Sequence, residues 1–412
     1  MNPFSLLGLI ASIALAAAMP YAQPDDPAQA RAVHESGLLI DGHNDLPWRL
    51  RAEVGDMGFD KFDLSQKHSA GHTDIPRLRE GGLKAQFWSV YIPTSQPNPA
   101  RTVTEQIDLV HRMAERYPET FEVAYTADDI ERIVKSGKIA SLIGIEGGVA
   151  IENSLGQLRA FYRMGVRYMT LTHSDTLDWA DSATDEARHG GLTPFGERVV
   201  REMNRLGMLV DLSHVSHETM HDVLRIAQAP VIFSHSSAYG IAAHPRNVPD
   251  DVLAKLKVNG GVVMVNFFSG FVEPEFAAQA QAARRRLRAQ HKDEKEFRAA
   301  YDAWFETEAK NLPRGTVKTV ANHIDHIVKH AGIDHVGIGS DFDGINSTPI
   351  GLEDVSCYPR LTEELLLRGY TKDQIHKILG ENVLRVMRQA EAVAKRLQRE
   401  TKPEVDSPPV GK

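Results

Sequence analysis

Apolar residues along this chain gather in short runs that each stop at a polar residue, and longer stretches with helical apolar spacing lie between most of them. The runs end near His43, Tyr91, Glu146, His173, His214, His235, Asn266 and Asp341. Helical spacing fills 103–116, 127–135, 155–164, 194–206, 217–227 and 250–258, and two further helices are expected at 362–367 and 372–396. Eight strands with helices between them predict an α/β fold, a (β/α)8 TIM barrel. The parallel strands of such a barrel bring all their C-terminal ends to one face, so residues far apart in sequence meet there.

One stretch breaks the rhythm. Residues 273–329 are longer than an ordinary crossover and strongly charged, and they predict an inserted helical hairpin before the last strand. Residues 4–18 are apolar and small throughout, too short for a comfortable membrane span but suited to a signal-peptide core. Small residues put cleavage after Ala18 or Ala22, so 1–22 reads as a leader, 23–397 as one domain and 398–412 as a flexible, polar, Pro-rich tail.

The chain is then expected to be exported, periplasmic or secreted. The tail carries no hydrophobic anchor signal, so no stable membrane attachment is expected once the leader is removed. Cys357 is the only cysteine, which excludes an intrachain disulfide. A net charge of -8 argues against nucleic-acid binding. The basic run Arg284-Arg285-Arg286-Leu287-Arg288 reads as a solvated helix face.

The strand ends carry the chemistry. His43 and Asp45 are two apart after an apolar run, and residues two apart in extended backbone point the same way. Together with Glu146, His214 and His235 they supply three imidazoles and two carboxylates on one rim, a donor set suited to zinc. We expect His43, Asp45 and Glu146 to hold one ion and Glu146, His214 and His235 a second, about 3.5–4 Å away. The carboxylates and a bridging hydroxide would cancel all but one charge of the ion pair, leaving a positive site for a developing oxyanion, and metal binding brings the pKa of water to about 7. Asp341 is placed to take the proton of the nucleophilic water and return it to a leaving amine, its alternative being a further metal ligand. His173 falls outside the five-ligand set and suits the carbonyl oxygen as it becomes an oxyanion.

The segments Asp41-Gly42-His43-Asn44-Asp45, Glu146-Gly147-Gly148, Leu171-Thr172-His173-Ser174, Asp211-Leu212-Ser213-His214, Phe233-Ser234-His235-Ser236, His244-Pro245-Arg246-Asn247 and Asp341-Phe342-Asp343-Gly344 resemble the membrane (renal) dipeptidase family of zinc hydrolases, from about Gly37 to Met387. The resemblance implies two zinc ions on the five ligands named above, His173 and Asp341 at the substrate oxygen and the proton, and Arg246 on the substrate carboxylate. A guanidinium grips a carboxylate through parallel charged hydrogen bonds, so a substrate would end one residue past the cleaved bond. The implied activity is hydrolysis by a metal-bound hydroxide of dipeptides with a free C-terminal carboxylate, L-L and also L-D, in a homodimer without a disulfide. The competing readings are another amidohydrolase-type reaction (β-lactam, lactone or cyclic amide) on the same metal pair, and an inactive zinc-holding binding protein.

Overall fold

The computed structural model describes residues 27–406. The leader expected at 1–22 lies outside the described residues. The strands are β1 (Ile40–Asn44), β2 (Ala85–Tyr91), β3 (Phe121–Val123), β4 (Ile139–Glu146), β5 (Val166–Thr170), β6 (Leu209–Asp211), β7 (Ile232–Phe233), β8 (Val262–Val265) and β9 (Val336–Ile338). They pair in parallel in the order β2-β1-β9-β8-β7-β6-β5-β4-β3, and β2 also pairs with β4 from Ala85↔Ala140 to Tyr91↔Glu146. That pairing closes eight strands into a barrel. The short β3, which the sequence did not predict, pairs only along the start of β4, outside the ring.

Period-two alternation builds two apolar layers. Ile40, Phe87, Leu142, Tyr168, Ile232 and Met264 form one buried cluster that the last helix, Asn382–Glu400, joins through Val383 and Met387. Their neighbours Leu39, Trp88, Ile143, Phe233 and Val263 belong to another, shared with the surrounding helices. The parity that turns Leu142 into the first layer carries Gly144 and Glu146 to the same side, so β4 delivers a carboxylate to the C-terminal mouth.

The charged insertion is shorter than expected. Helices Pro274–Gln290 and Glu294–Thr307 form a hairpin with its own small core of Phe276, Ala280, Ala283 and Trp304. Helix Val317–His330 is instead the regular crossover before β9, burying Val320, Ala321, Ile324 and Ile327 in the main core. The basic run is only partly a solvated face. Arg284 donates to the carbonyl of Thr184 at 2.7 Å and lies 5.3 Å over the Phe297 ring, while Arg286 pairs with Glu308 at 3.0 Å.

The expected tail also begins too early, because the last helix reaches Glu400. Beyond it, Asp406 accepts from the backbone N–H of Leu155 at 2.8 Å and Glu404 pairs with Arg198 at 3.2 Å, so charge ties 404–406 to the barrel.

Candidate active site

Every residue predicted for the site lies at the C-terminal mouth. His43 and Glu146 sit within β1 and β4, whereas His173, His214, His235 and Asp341 come two or three residues after their strands end. The chain turns sharply there: His214 and Asp341 adopt left-handed backbone at φ 70 and φ 68. Non-glycine residues rarely accept that conformation, and where they do it commonly serves a functional site. Asp45 has also left extended geometry (φ -92, ψ 20), and the register of β1 against β2 shifts between Asp41 and Asn44. Simple strand alternation therefore does not explain why His43 and Asp45 meet, but they do, at 3.2 Å from Nε2 to Oδ2.

Glu146 occupies the middle. Its Oε2 faces His43 Nε2 at 3.6 Å, and its Oε1 lies 2.9 Å from His214 Nε2, 3.3 Å from His235 Nε2 and 3.8 Å from His173 Nε2. The Nε2 atoms of His214 and His235 are themselves 2.9 Å apart. Donors about 2.0–2.2 Å from one tetrahedral ion lie roughly 3.3–3.5 Å from each other, close to these separations. His43 Nε2 and Asp45 Oδ1 are buried with no hydrogen-bond partner. Unpaired buried donors and acceptors are costly, and a cation among them would relieve that cost. The residues present therefore fit a metal centre.

Two buried aspartates brace this rim, and neither was predicted as a site residue. Asp41 accepts from the backbone N–H of His43 at 3.1 Å and of Ser340 at 2.8 Å, and also from the hydroxyls of Ser340 and Tyr358. Asp211 repeats the pattern with the N–H groups of Ser213 and Ser234 at 3.1 and 2.8 Å and the hydroxyls of Ser234 and Thr170 at 2.6 and 2.5 Å. Ser234 Oγ in turn lies 2.8 Å from His235 Nδ1. Each aspartate thus fixes the strand end that carries a histidine and the neighbouring strand end that carries the next functional residue. The signal in the sequence was a lone Asp inside an apolar run, two or three residues before a histidine.

Burial alone would raise the carboxyl of Glu146, but positive charge on His43 and hydrogen bonds from His214 and His235 hold it well below the usual range. Burial pushes Asp341 the other way, well above the usual carboxylate range; His43 opposes this, the charges of Asp45 and Glu146 add to it, and the Asn266 amide at 2.8 Å from Oδ2 opposes it. Asp341 therefore holds a proton more readily than an exposed carboxylate. Burial lowers His173, keeping it neutral near neutral pH.

The mouth opens into a cavity of about 820 Å³ that also reaches Arg246 and, from the hairpin, Arg284, Tyr301 and Phe305. Arg246 is 2% exposed, and burial pushes its pKa down to about 10, so it stays charged at neutral pH. It donates to Ser236 Oγ and to the His235 carbonyl, both at 3.3 Å, while its Nε has no partner. Among the described residues no carboxylate pairs with it within 4 Å. A buried guanidinium so weakly satisfied presents donors to an anion entering the cavity.

A closed parallel barrel with histidines and carboxylates converging at its C-terminal mouth defines a metal-dependent hydrolase. The family model of membrane dipeptidases (peptidase family M19) matches residues 27–401, and the chain belongs to that family. Among solved structures it is similar to the probable dipeptidase PvdM from Pseudomonas aeruginosa, with 26% identity and a TM-score of 0.79 over 89% of this chain and 99% of that one. It is similar also to dipeptidase AC, a metallo peptidase, with 25% identity and a TM-score of 0.70 over 86% and 99% of the two chains. A metallo peptidase from Rhodobacter sphaeroides, solved with a phosphinate mimic of L-Ala-D-Ala, shares the fold at 24% identity and a TM-score of 0.69 over 86% and 99%.

Proposed function

We propose that this metallopeptidase hydrolyses dipeptides that end in a free carboxylate, of L-L and L-D configuration, with two zinc ions. His43, Asp45 and Glu146 would hold one and Glu146, His214 and His235 the other. The observation that carries the reading is Glu146, whose two oxygens face two different ligand sets while the buried Arg246 lines the same cavity. Two divalent ions there would make hydroxide available near neutral pH and polarise the scissile carbonyl.

The chain's own groups supply the rest. Arg246 binds the substrate's terminal carboxylate and so sets the distance to the scissile bond, excluding chains that run on past it. Asp341, its Oδ2 held by Asn266, takes the proton from the attacking water and returns it to the departing amine. A carboxyl raised by burial suits both halves of that transfer. His173 donates to the carbonyl oxygen as its charge grows.

Export of the chain and a disulfide-free homodimer complete the proposal. Among the described residues no helix is long and apolar enough to cross a membrane.

The test is a panel of L-L and L-D dipeptides, tripeptides and N-blocked dipeptides, assayed with and without a chelator and with zinc restored. Turnover confined to dipeptides, lost with the metal and regained with zinc, is expected. Equal turnover of tripeptides, or of β-lactams and lactones in place of dipeptides, would overturn the substrate assignment. Metal uptake with no turnover of any dipeptide would favour a binding protein.

A further inference from the structure

Outside the cleft, the described residues bring metal-binding side chains together on the outer surface of the barrel. Helix His217–Ile226 follows β6 and helix Asp250–Asn259 follows the loop after β7. His217 and His221 are four apart on the first of these, a spacing that puts both rings on one helix face. Asp251 stands opposite, in the first turn of the second helix.

His217 Nε2 lies 3.2 Å from each Asp251 oxygen, His221 Nε2 lies 2.9 Å from Oδ2, and the two Nε2 atoms are 3.1 Å apart. The bland reading is a hydrogen-bonded surface cluster. It accounts for each nitrogen facing the carboxylate, but two imidazole nitrogens that close together need a shared proton or a shared cation between them. Ligands of one tetrahedral zinc ion would be roughly 3.3 Å apart, so all three contacts already approach the edges of such a site.

We propose that His217, His221 and Asp251 form a second, surface metal site for a borderline divalent cation of the zinc class. Two imidazoles and one carboxylate select such an ion over magnesium or calcium, which prefer oxygen alone. All three residues are partly or fully exposed, so water completes the coordination and the ion exchanges with solvent. Once bound, it clips together two helices whose preceding loops carry His214 and His235.

One contact opposes the ion. Lys255 Nζ lies 2.7 Å from His221 Nδ1, and an ammonium donating there keeps the imidazole proton on Nε2, the atom the metal needs. Metal binding moves that proton to Nδ1 and releases the exposed lysine to solvent. Lys255 therefore weakens the site, and its removal should tighten it.

A neighbouring group serves as the control. Asp250, His326 and His330 also approach one another, but unevenly, with His326 Nε2 at 2.6 Å and His330 Nδ1 at 3.8 Å from the Asp250 carboxylate.

The full chain, loaded with zinc and desalted, is titrated with Zn2+ against a chromophoric chelator, and thermal unfolding is followed in parallel. The readout is the difference in uptake between variant and wild type, so it does not depend on how many ions the catalytic centre holds or on what substrate it cleaves. The double variant His217→Ala/His221→Ala, and separately Asp251→Asn, should bind one ion fewer, lose the zinc-dependent rise in Tm and keep wild-type hydrolysis. His326→Ala/His330→Ala should keep that ion, and Lys255→Ala should bind it several-fold more tightly. Equal uptake by wild type and the His217/His221 variant overturns the proposal, as does loss of the ion in the His326/His330 variant instead. An affinity unchanged by Lys255→Ala overturns the assignment of His221 Nε2 as a ligand.

Discussion

The phenol oxygen of Tyr168 lies 2.8 Å from Nδ1 of His43, across the inside of the barrel from β5 to β1. A histidine that ligates through Nε2 must carry its proton on Nδ1, and a partner at Nδ1 fixes both tautomer and ring orientation. Tyr168→Phe keeps the ring and removes that partner. Metal affinity should fall by about 10–100-fold, as when other partners of ligand histidines are removed. Activity should return when zinc is added in excess. Equilibrium dialysis against a zinc buffer checks this; unchanged affinity would mean the phenol does not orient His43.

The space that Tyr168 occupies depends on Gly144. A Cβ added there would lie 2.0 Å from the phenol ring carbon and 2.3 Å from its neighbours, far inside van der Waals contact. The Gly144→Ala variant must displace the ring, and overpacking of this kind costs about 1–3 kcal/mol. Denaturant unfolding should show that loss, and zinc affinity should fall with it because His43 loses its partner by another route. The Gly144→Ala/Tyr168→Leu double variant should recover stability but not affinity.

Asp211 acts on the other half of the site. To ligate through Nε2, His235 donates from Nδ1 to Ser234 Oγ, whose hydroxyl then donates to Asp211 Oδ2, so the carboxylate sets the direction of the relay. In Asp211→Asn an amide N–H₂ group can face that hydroxyl, and Ser234 loses its acceptor. We expect zinc affinity to drop about 10–100-fold with a much smaller effect on folding. Asp211→Ala should instead destabilise the fold as well, because it strips acceptors from two buried backbone N–H groups at about 1–3 kcal/mol each. Comparing the two variants by zinc titration and by urea unfolding separates the roles.

These relationships mark where the sequence stops being legible. Apolar runs ending at histidines and carboxylates are local patterns, so the barrel and its rim could be read directly from them. The Tyr168–His43 bond joins residues 125 positions apart, and only closure of the barrel brings them together. Arg246 resembles any loop arginine until its burial is known. Helix Val317–His330 was absorbed into the insertion, although Val320, Ile324 and Ile327 bury one face of it at helical spacing, because it follows the charged hairpin with only a short break. The expected site residues converge at the mouth although the geometry assumed for them was partly wrong: His214 and Asp341 reach it through left-handed turns, not extended strands.

The proposed role of Asp341 as proton carrier gives a pH prediction. Asp341 accepts a proton only when ionised, so kcat/KM should rise with pH through its pKa in the metal-loaded enzyme. The Asn266 amide favours the charged form, and Asn266→Ala removes that support. The acid limb of the pH profile should move to higher pH in the variant while the alkaline limb stays in place. A shift to lower pH, or none, would place the proton transfer on another group.

The last prediction concerns the loop that carries Arg246. His323, fully buried on helix Val317–His330, accepts from the Ala238 N–H at Nδ1, 3.0 Å away, and donates from Nε2 to the Val272 carbonyl at 2.9 Å. Both nitrogens are satisfied only in the neutral form, and burial pushes the pKa down to about 4 against an ordinary 6.5. Between those values the unfolded chain binds a proton that the folded chain refuses. The contribution to stability is therefore complete above pH 6.5 and is lost as pH falls from 6.5 to 4, up to about 3 kcal/mol. In His323→Gln the amide can make both hydrogen bonds without titrating. That variant should be less stable than wild type at neutral pH, with the gap closing as the pH falls, as read from urea midpoints at matched pH. Ala238 begins the stretch that leads to Arg246, and Asn247 Nδ2 ties its end to the carbonyls of Ala242 and Phe271 at 2.9 and 2.7 Å. Protonation of His323 removes the acceptor for the Ala238 N–H, so the loop should loosen before the barrel does. In wild type KM for dipeptides should then climb on acidification while far-UV circular dichroism is still unchanged, and in His323→Gln that rise should be smaller.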